Sequence, residues 1–169
     1  PEALLPLMSK GYKSGSDDAQ PYELVGPAPA GSLAATGADM GRFMIAHLAD
    51  GAFGTARILR EDTARQMHGT PSQLLAPLNS MMLGFYQTDI NGRRAIAHGG
   101  DTQWFHSDLN LFLDDGIGIY ISMNSAGSEG VAGVIRNELF ERFANRYLPG
   151  PIADGEVDEA TAKAHALEV

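Results

Sequence analysis

The sequence predicts an α+β fold in which an antiparallel meander of strands is flanked by helices. Apolar residues recur at helical spacing in the first third of the chain, give way to short strand-like runs in the middle, and return to helical spacing near residue 130. Three consecutive connections in the middle region are short, and short connections join antiparallel neighbours. A length of 169 residues suits one domain of this kind.

Two helices are predicted before the sheet. Thr36 can cap the first helix, Asp39 follows three residues later in a shortened capping box, and Gly51 provides an easy C-terminal turn. The apolar face of this helix consists of Met40, Phe43, Met44, His47 and Leu48. The second helix covers residues 61–67 and begins with acidic residues, which the helix dipole favours. Earlier in the chain, only residues 9–13 suggest a short strand.

Four strands and a final helix follow. The strands are predicted at residues 82–88, 93–98, 106–113 and 117–124. Between the first two strands, Asn91-Gly92 is a strong signal for a tight hairpin. The helix over residues 129–148 carries one apolar stripe that would cover a face of the sheet, formed by Val131, Val134, Ile135, Leu139 and Phe143. We assign residues 1–149 to the domain and residues 150–169 to an acidic linker or disordered tail.

Composition excludes several classes of function. The net charge is −9 and the 12 Lys and Arg residues form no run, so no nucleic-acid partner is expected. The chain has no Cys, which rules out thiolate metal sites and cysteine nucleophiles. The five His have no metal-ligand spacing, so no metal and no cofactor are predicted. No apolar stretch approaches the roughly 18 residues of a membrane span.

One stretch, residues 98–107, concentrates chemistry-bearing side chains. It contains His98, His106, an Asp and the only Trp of the chain, at a predicted strand end where Gly99 and Gly100 break the strand. Paired glycines let a backbone approach a ligand closely, and N–H groups at such a place can hold an oxyanion. The other interpretation is that the glycines only turn the chain. The usual nucleophile motifs are missing: there is no G-x-S-x-G, and none of the three Lys follows a Ser at the S-x-x-K spacing.

Several segments resemble the penicillin-recognising serine hydrolases, which include class C β-lactamases, D-Ala-D-Ala carboxypeptidases and related esterases. Residues 29–43, PAGSLAATGADMGRF, are similar to the family segment P-A-G-G-L-x-S-T-x-x-D-M-x-R-F. Further matching segments follow the family's order: Gly11-Tyr12, Arg57-Ile58-Leu59, His98-Gly99-Gly100 and Ile121-Ser122-Met123-Asn124. The resemblance implies a partial β-lactamase/transpeptidase-like fold, with the sheet beside a mostly helical lobe.

The resemblance also implies roles for the His98 stretch. His98-Gly99-Gly100 occupies the family's Lys-Thr-Gly position on the strand that lines the active site. The catalytic candidates are His98, which would orient substrate or aid proton transfer, and Asp101, whose backbone N–H would be one oxyanion donor. Gly99, Gly100 and Thr102 are the candidates for substrate binding. His in place of Lys removes a permanent cation and Gly in place of Thr removes a hydroxyl, and both changes favour an esterase or peptidase over a β-lactamase.

The family's Ser-x-x-Lys and Tyr-x-Asn motifs are not found in this sequence. We therefore expect the chain to be the C-terminal part of a hydrolase that acts on an ester, amide or lactam through an acyl-enzyme, and to be inactive alone. Its expected partners are the N-terminal segment of the same domain and a small-molecule or peptide substrate. An unpaired strand edge would also allow self-association. The resemblance favours a periplasmic or membrane-associated location.

Two other interpretations remain open at this point. The chain can be a non-catalytic module that keeps the cleft wall to hold a peptide or acyl ligand. It can also be a complete small hydrolase that uses Ser107 with His106 or His98, and with Asp101 or Asp108. Neighbouring residues on a strand point to opposite faces, which makes it difficult for His106 to reach Ser107.

Overall fold

The computed structural model describes residues 2–15, 17–23, 25–26, 30–31, 33–69 and 80–150, and in them a four-stranded antiparallel sheet carries helices on both faces. Before the sheet come α1 (Gly37–Leu48), the two-residue strands β1 (Ala52–Phe53) and β2 (Ala56–Arg57), and α2 (Glu61–Gly69). The sheet is formed by β3 (Tyr86–Ile90), β4 (Arg93–Asp101), β5 (His106–Phe112) and β6 (Ile117–Met123), in that order. Helix α3 (Val131–Tyr147) follows, and short 3₁₀ helices lie at Glu2–Leu7 and Ser128–Gly130.

The α+β meander is confirmed, and its turns fix the register. Asn91 and Gly92 both have positive φ angles, 55° and 70°, as a two-residue hairpin turn requires. The turn sets Ile90 opposite Arg93, and the pairing continues to Tyr86 opposite Ala97. Strands β5 and β6 pair along their whole length, from His106 opposite Met123 to Phe112 opposite Ile117.

Two strand predictions are wrong in their limits, and a third is wrong altogether. The first sheet strand begins at Tyr86 rather than at residue 82, because the chain turns tightly at Gly84 (φ +81°) and Met82 N–H donates to Phe85 C=O at 2.8 Å. The glycines at 99 and 100 do not break the next strand, which continues to Asp101 because β5 pairs with every residue on the way. Residues 9–13 form no strand, and only Tyr12 makes a single parallel bridge, to Ser125. The β1–β2 hairpin and the first 3₁₀ helix were not predicted.

Helix α1 has the predicted cap and covers one face of the sheet. Asp39 N–H donates to Thr36 Oγ1 at 3.1 Å and Thr36 N–H donates to Asp39 Oδ2 at 3.2 Å, which completes the capping box. Met40, Met44 and Leu48 of this helix pack against a core cluster on the sheet. The buried members of that cluster are Met82, Phe85, Ile96, Leu109 and Leu111.

Helix α3 covers the opposite face, but with a different stripe from the one predicted. Val131, Val134, Ile135 and Leu139 are exposed, between 38% and 65%. The helix instead turns Phe140 and Ala144 to the sheet, and Ala144 and Leu148, which follows the helix, are buried against Ala95 and Phe112. Alanine at the contact lets the helix approach the sheet closely, which a stripe of β-branched residues and leucine does not allow.

The exposed flank of α3 lies on the same side of the molecule as the outer edge of β6. The outer edge of β3 is partly covered, since Gln87 N–H donates to Ser80 C=O at 2.8 Å. In the described residues, β6 has no strand beside its outer edge apart from the bridge at Ser125 that follows it. Unpaired strand edges recruit other strands. We propose that the chain self-associates through the β6 edge together with the apolar flank of α3, which we define as Val131, Ile135 and Leu139.

We expect light scattering to report a mass above that of one chain, and expect Leu139→Lys to shift the distribution towards monomer. A charge placed in a buried apolar contact should weaken dimerisation at least about tenfold, or 1.4 kcal/mol. Asn137→Lys is the matched control, because Asn137 is exposed on the other flank of α3 and should not change the mass. A sharp monomer peak for the unmodified chain, with cooperative melting, would contradict the proposal.

A buried pair of histidines joins α1 to α2. His47 Nδ1 and His68 Nε2 are 2.9 Å apart, and the two residues are only 2% and 5% exposed. Phe85 meets both rings edge-on, at centroid distances of 5.3 and 5.8 Å. A hydrogen bond between two ring nitrogens needs one N–H and one lone pair, so the rings cannot both be protonated at these atoms.

The surroundings of this pair hold it neutral. Burial lowers the pKa of His47 to about 4, and the charge of His68 acts in the same direction. Burial also lowers the pKa of His68; the Asp50 carboxylate opposes that effect and the Arg94 guanidinium adds to it. Arg65 binds Asp50 at 3.0 Å, so part of the Asp50 charge is already neutralised.

We expect the free energy of unfolding to fall as the pH decreases from about 6.5 to about 4. In that window the unfolded His47 binds a proton and the folded His47 does not, so acid favours the unfolded state. At about 1.4 kcal/mol per pKa unit, His47 alone contributes on the order of 3 kcal/mol. Urea unfolding at several pH values measures the slope. It should be shallower in His47→Gln and unchanged in His98→Gln, since His98 is exposed; equal slopes in the first variant and the unmodified chain would refute the expectation.

Candidate active site

Residues 98–107, which the sequence identified as rich in chemistry-bearing side chains, begin where β4 extends past the start of its neighbour β3. Pairing between these strands ends at Tyr86 opposite Ala97. On the other side, β5 pairs with residues 98–101 as far as Asp101 opposite His106. Within the described residues, no strand adjoins the β3 side of residues 98–101. We call this side the open edge of β4.

The open edge presents backbone N–H groups from alternate residues. Thr102 N–H donates to Phe105 C=O at 2.8 Å on the β5 side, and Gly99, three residues earlier, therefore turns its N–H to the β3 side. Successive N–H groups of a strand alternate between its two edges, so the N–H of Asp101 faces the same side as that of Gly99. The structure therefore turns the backbone N–H of Asp101 to the open edge.

His98 and the glycines lie beside this edge. His98 is exposed, and its ring lies 6.3 Å from the ring of Tyr86, centroid to centroid. A Cβ atom on Gly99 would lie 3.1 Å from the Tyr86 hydroxyl oxygen, and one on Gly100 would lie 3.3 Å from Ser107 Oγ. Both distances are shorter than ordinary contacts, so the two positions have little room for a side chain. Together these features leave the backbone accessible next to an imidazole.

The carboxylate of Asp101 is engaged on the α3 side of the sheet. Its Oδ1 accepts from His106 Nδ1 at 2.7 Å and from Arg136 Nη1 at 2.9 Å. Arg136 also donates to Ser107 C=O at 3.0 Å, which ties α3 to β5. Burial works to raise the pKa of Asp101, but the hydrogen bonds from His106 and Arg136 and the Arg136 charge outweigh it, so this pKa lies below its ordinary value. The side chain anchors the strand end and leaves only the backbone of Asp101 for the edge.

The turn after β4 is held by Thr102 and by the N-terminal segment. Phe105 N–H donates to Thr102 Oγ1 at 3.1 Å, and Thr102 N–H donates to Phe105 C=O at 2.8 Å. Glu23 accepts from Gln103 N–H at 2.7 Å. Burial works to raise the pKa of Glu23, but the backbone hydrogen bond from Gln103 and others outweigh it and lower this pKa. The hydroxyl of Thr102 is thus engaged in the turn.

A local catalytic triad is not assembled here. Ser107 Oγ donates to Gly100 C=O at 3.4 Å, whereas the His106 ring turns to Asp101 on the other face of the sheet. Asp108 accepts from Asn110 Nδ2 at 2.7 Å and from the Tyr86 hydroxyl at 3.4 Å. Among the described residues, no hydrogen bond connects Ser107 to a histidine.

Sequence reasoning missed three residues around this site: Glu23, Tyr86 and Arg136. For Tyr86 a signal was present. The Asn91-Gly92 turn sets Ile90 opposite Arg93, and counting back four residues places Tyr86 opposite Ala97, next to His98. Glu23 and Arg136 come from distant parts of the chain, and no local pattern marks them.

Two other features are absent from the described part of the chain. No group of three or more His, Asp or Glu side chains is arranged to hold a metal ion there. None of its helices combines the length and the apolar character that crossing a membrane demands.

The geometry agrees with a comparison against protein families. The family model described as Beta-lactamase matches residues 6–141, which include the open edge and most of α3. The chain belongs to the β-lactamase family. No curated protein and no solved structure matches it. The β-lactamase family assignment confirms the resemblance found in the sequence and fits the transpeptidase-like arrangement of sheet and helices. The boundary at residue 149 stays a prediction, and the tail predicted after it, from residue 151 on, lies outside the described residues.

Proposed function

We propose that this chain is the C-terminal part of a β-lactamase-related serine hydrolase that cleaves an ester, amide or lactam through an acyl-enzyme. The observation that supports this most directly is the open edge of β4, where the Asp101 N–H faces outward beside the exposed His98. Such an edge offers a fixed backbone donor, and a fixed donor stabilises an oxyanion without reorganisation.

The proposed chemistry uses the edge in both half-reactions. A serine oxygen bonds to the substrate carbonyl carbon, the serine proton passes to a base, and the carbonyl oxygen becomes an oxyanion that accepts from Asp101 N–H. The bond to the leaving group then breaks, and the leaving group takes a proton. Water repeats the same attack on the acyl-enzyme and releases the acid. His98 lies beside the edge, where it can orient the substrate or carry one of these protons.

We propose that the nucleophile lies in a segment upstream of Pro1. Leu7, Lys10 and Ala160 precede the three lysines by three residues, so the 169 residues contain no Ser-x-x-Lys. Ser107 lies beside Gly100 on the neighbouring strand, and its hydroxyl donates to Gly100 C=O rather than to a base. The chain alone is accordingly proposed to be inactive.

Substrate preference follows from the two residues that replace Lys and Thr of the family motif. His98 does not supply the permanent cation of a lysine, and Gly99 has no hydroxyl. Both groups would help to bind a carboxylate next to the scissile bond. We therefore propose an ester or peptide substrate rather than a β-lactam.

A second candidate is a non-catalytic module that binds an extended peptide or an acyl ligand. The same open edge favours it, because a strand with unpaired N–H and C=O groups can accept a peptide as an added strand. The two candidates differ in whether a covalent intermediate forms.

Intact-mass spectrometry after exposure to a fluorophosphonate, and separately to a penicillin, distinguishes these cases. We expect no adduct on the 169-residue chain, because it lacks the nucleophile. We expect one fluorophosphonate adduct on the polypeptide that includes the upstream segment. A stoichiometric adduct on the chain itself would contradict the assignment of the nucleophile, and peptide mapping would then begin at Ser107. The absence of any adduct on the longer polypeptide would favour the binding module.

In the longer polypeptide, His98→Ala should lower kcat/KM by about ten- to a thousandfold if the imidazole transfers a proton, as general acid–base groups do. Initial rates with an activated ester measure this. Asp101→Ala should cost much less, because the proposed donor is a backbone N–H. An unchanged kcat/KM in His98→Ala would exclude the proton-transfer role, and a large loss in Asp101→Ala would mean that the carboxylate acts directly.

A further inference from the structure

The carboxylate of Asp101 belongs to the same residue as the N–H group that the proposed reaction uses. An oxyanion bound to this N–H would bring a second negative charge close to the carboxylate, and like charges at such short separations repel. The side chain of Asp101 is 53% exposed, so water screens part of this repulsion but not all of it. A backbone donor on an aspartate is therefore most effective where a cation neutralises the side chain.

Arg136 neutralises this carboxylate from helix α3. Its Nη1 donates to Asp101 Oδ1 at 2.9 Å and its Nη2 reaches Oδ2 at 3.5 Å, so the fork of the guanidinium faces both carboxylate oxygens. Nη1 also donates to Ser107 C=O at 3.0 Å, and the arginine side chain is only 16% exposed. His106 Nδ1 is a second partner of Oδ1, at 2.7 Å, but only the guanidinium keeps its positive charge at every pH.

The ion pair lies on one face of the sheet and leaves the open edge free. Asp101 and His106 are opposite each other in the β4–β5 pairing, so both side chains lie on the α3 face with Arg136. His98, three residues before Asp101, points to the opposite face, because side chains alternate along a strand. The Asp101 N–H lies in the plane of the sheet, between the two faces. The arginine can therefore neutralise the carboxylate without occupying the edge where a substrate would bind.

A second carboxylate on the α3 face has different partners. Asp108 is opposite Gly99, and a Cβ atom on that glycine would lie 3.4 Å from Asp108 Oδ1. Among the described residues, the hydrogen bonds that Asp108 accepts come from neutral groups, the Asn110 amide and the Tyr86 hydroxyl. Of the two N–H groups at the open edge, that of Gly99 thus lies near a carboxylate bound to neutral donors, whereas that of Asp101 lies near one bound to a cation.

We propose that Arg136 is a positioning residue of the hydrolase: it holds the Asp101 carboxylate on the α3 face and neutralises it, so that the N–H of Asp101 can bind the acyl oxyanion. The inference rests on the proposed function and deepens it by naming what favours the Asp101 N–H over that of Gly99. Catalysis then depends on the seating of α3 on the strand end, because the arginine belongs to that helix.

A double-mutant cycle in the polypeptide that includes the upstream segment separates neutralisation from anchoring. We expect Arg136→Gln to lower kcat for an activated ester about ten- to thirtyfold and to leave KM within about twofold, because the repulsion acts on the oxyanion of the transition state. Asp101→Asn removes the charge but keeps a carbonyl oxygen as acceptor, and should change kcat by less than about threefold. In the double variant kcat should return to within about threefold of that of the unmodified polypeptide.

Two further variants serve as controls. Arg136→Lys keeps the charge and should retain kcat within about fivefold, although an ammonium group cannot face both carboxylate oxygens as a guanidinium does. Arg142→Gln removes an arginine of the same helix that pairs with Glu138 at 2.6 Å, and should leave kcat as it is. A double variant as slow as Arg136→Gln would show that the arginine only anchors the strand end, and would overturn the proposal. An unchanged kcat in Arg136→Gln would overturn it as well.

The titration of Asp101 in the 169-residue chain tests the ion pair without any assumption about activity. Burial works to raise the pKa of Asp101, and the hydrogen bonds from His106 and Arg136 together with the Arg136 charge lower it. Carboxyl ¹³C NMR should therefore find this pKa below its ordinary value in the unmodified chain, and higher in Arg136→Gln than in Arg142→Gln. An ordinary pKa in the unmodified chain, or equal values in the two variants, would contradict the neutralisation.

Failure of the positioning role and failure of the proposed function give different results. If the polypeptide with the upstream segment is active and Asp101→Asn does not rescue Arg136→Gln, the proposed function stands and the positioning role is wrong. If that polypeptide hydrolyses no activated ester, the proposed function fails, and the positioning role fails with it whatever the titration shows.

Discussion

Four residues of β4 extend past the start of β3, and the hydrogen-bond ladder cannot close over them. The mismatch arises at the tight turn through Gly84, which makes β3 begin only at Tyr86. The accessible N–H groups of Gly99 and Asp101 at the candidate site result from this missing pairing. A strand edge of this kind is stable only where its other edge is firmly paired, and β5 provides that pairing as far as Asp101.

The two faces of the sheet support the extension in different ways. On the α1 side, apolar packing around Ile96 and Leu111 fixes the part of β4 that precedes the open edge. On the α3 side the support is polar, since Arg136 reaches from the helix to Asp101 and to the Ser107 carbonyl. The same helix also packs Phe140 and Ala144 against Phe112 and Ala95 of the sheet. The rotation of the helix that seats Arg136 on the strand end leaves Ile135 and Leu139 exposed.

The sequence allowed the elements to be predicted far better than their orientation. Asn91-Gly92 and the Thr36 capping box are local patterns, and both were found where they were expected. The buried stripe of α3 was predicted wrongly because the hydrophobic pattern contains no information about the ion pair between Arg136 and Asp101 of β4. Gly99 and Gly100 were interpreted as a break because glycine usually is one, whereas here cross-strand pairing keeps them extended. His98 and Asp101 were identified, but Tyr86, the side chain that contacts this edge, required the register of the hairpin.

Family membership alone does not determine the chemistry of this edge, because its motif departs from Lys-Thr-Gly at two positions. Taken singly, each departure is a loss of a polar group. In the structure, however, the replacement of Thr by Gly99 exchanges one hydroxyl for another. The hydroxyl of Tyr86 lies where a side chain at position 99 would be. A hydroxyl carried on a neighbouring strand and fixed by Asp108 cannot follow the substrate as a threonine on the strand itself can. The exchange therefore places a fixed hydroxyl, bound to Asp108, next to Gly99 without changing the fold.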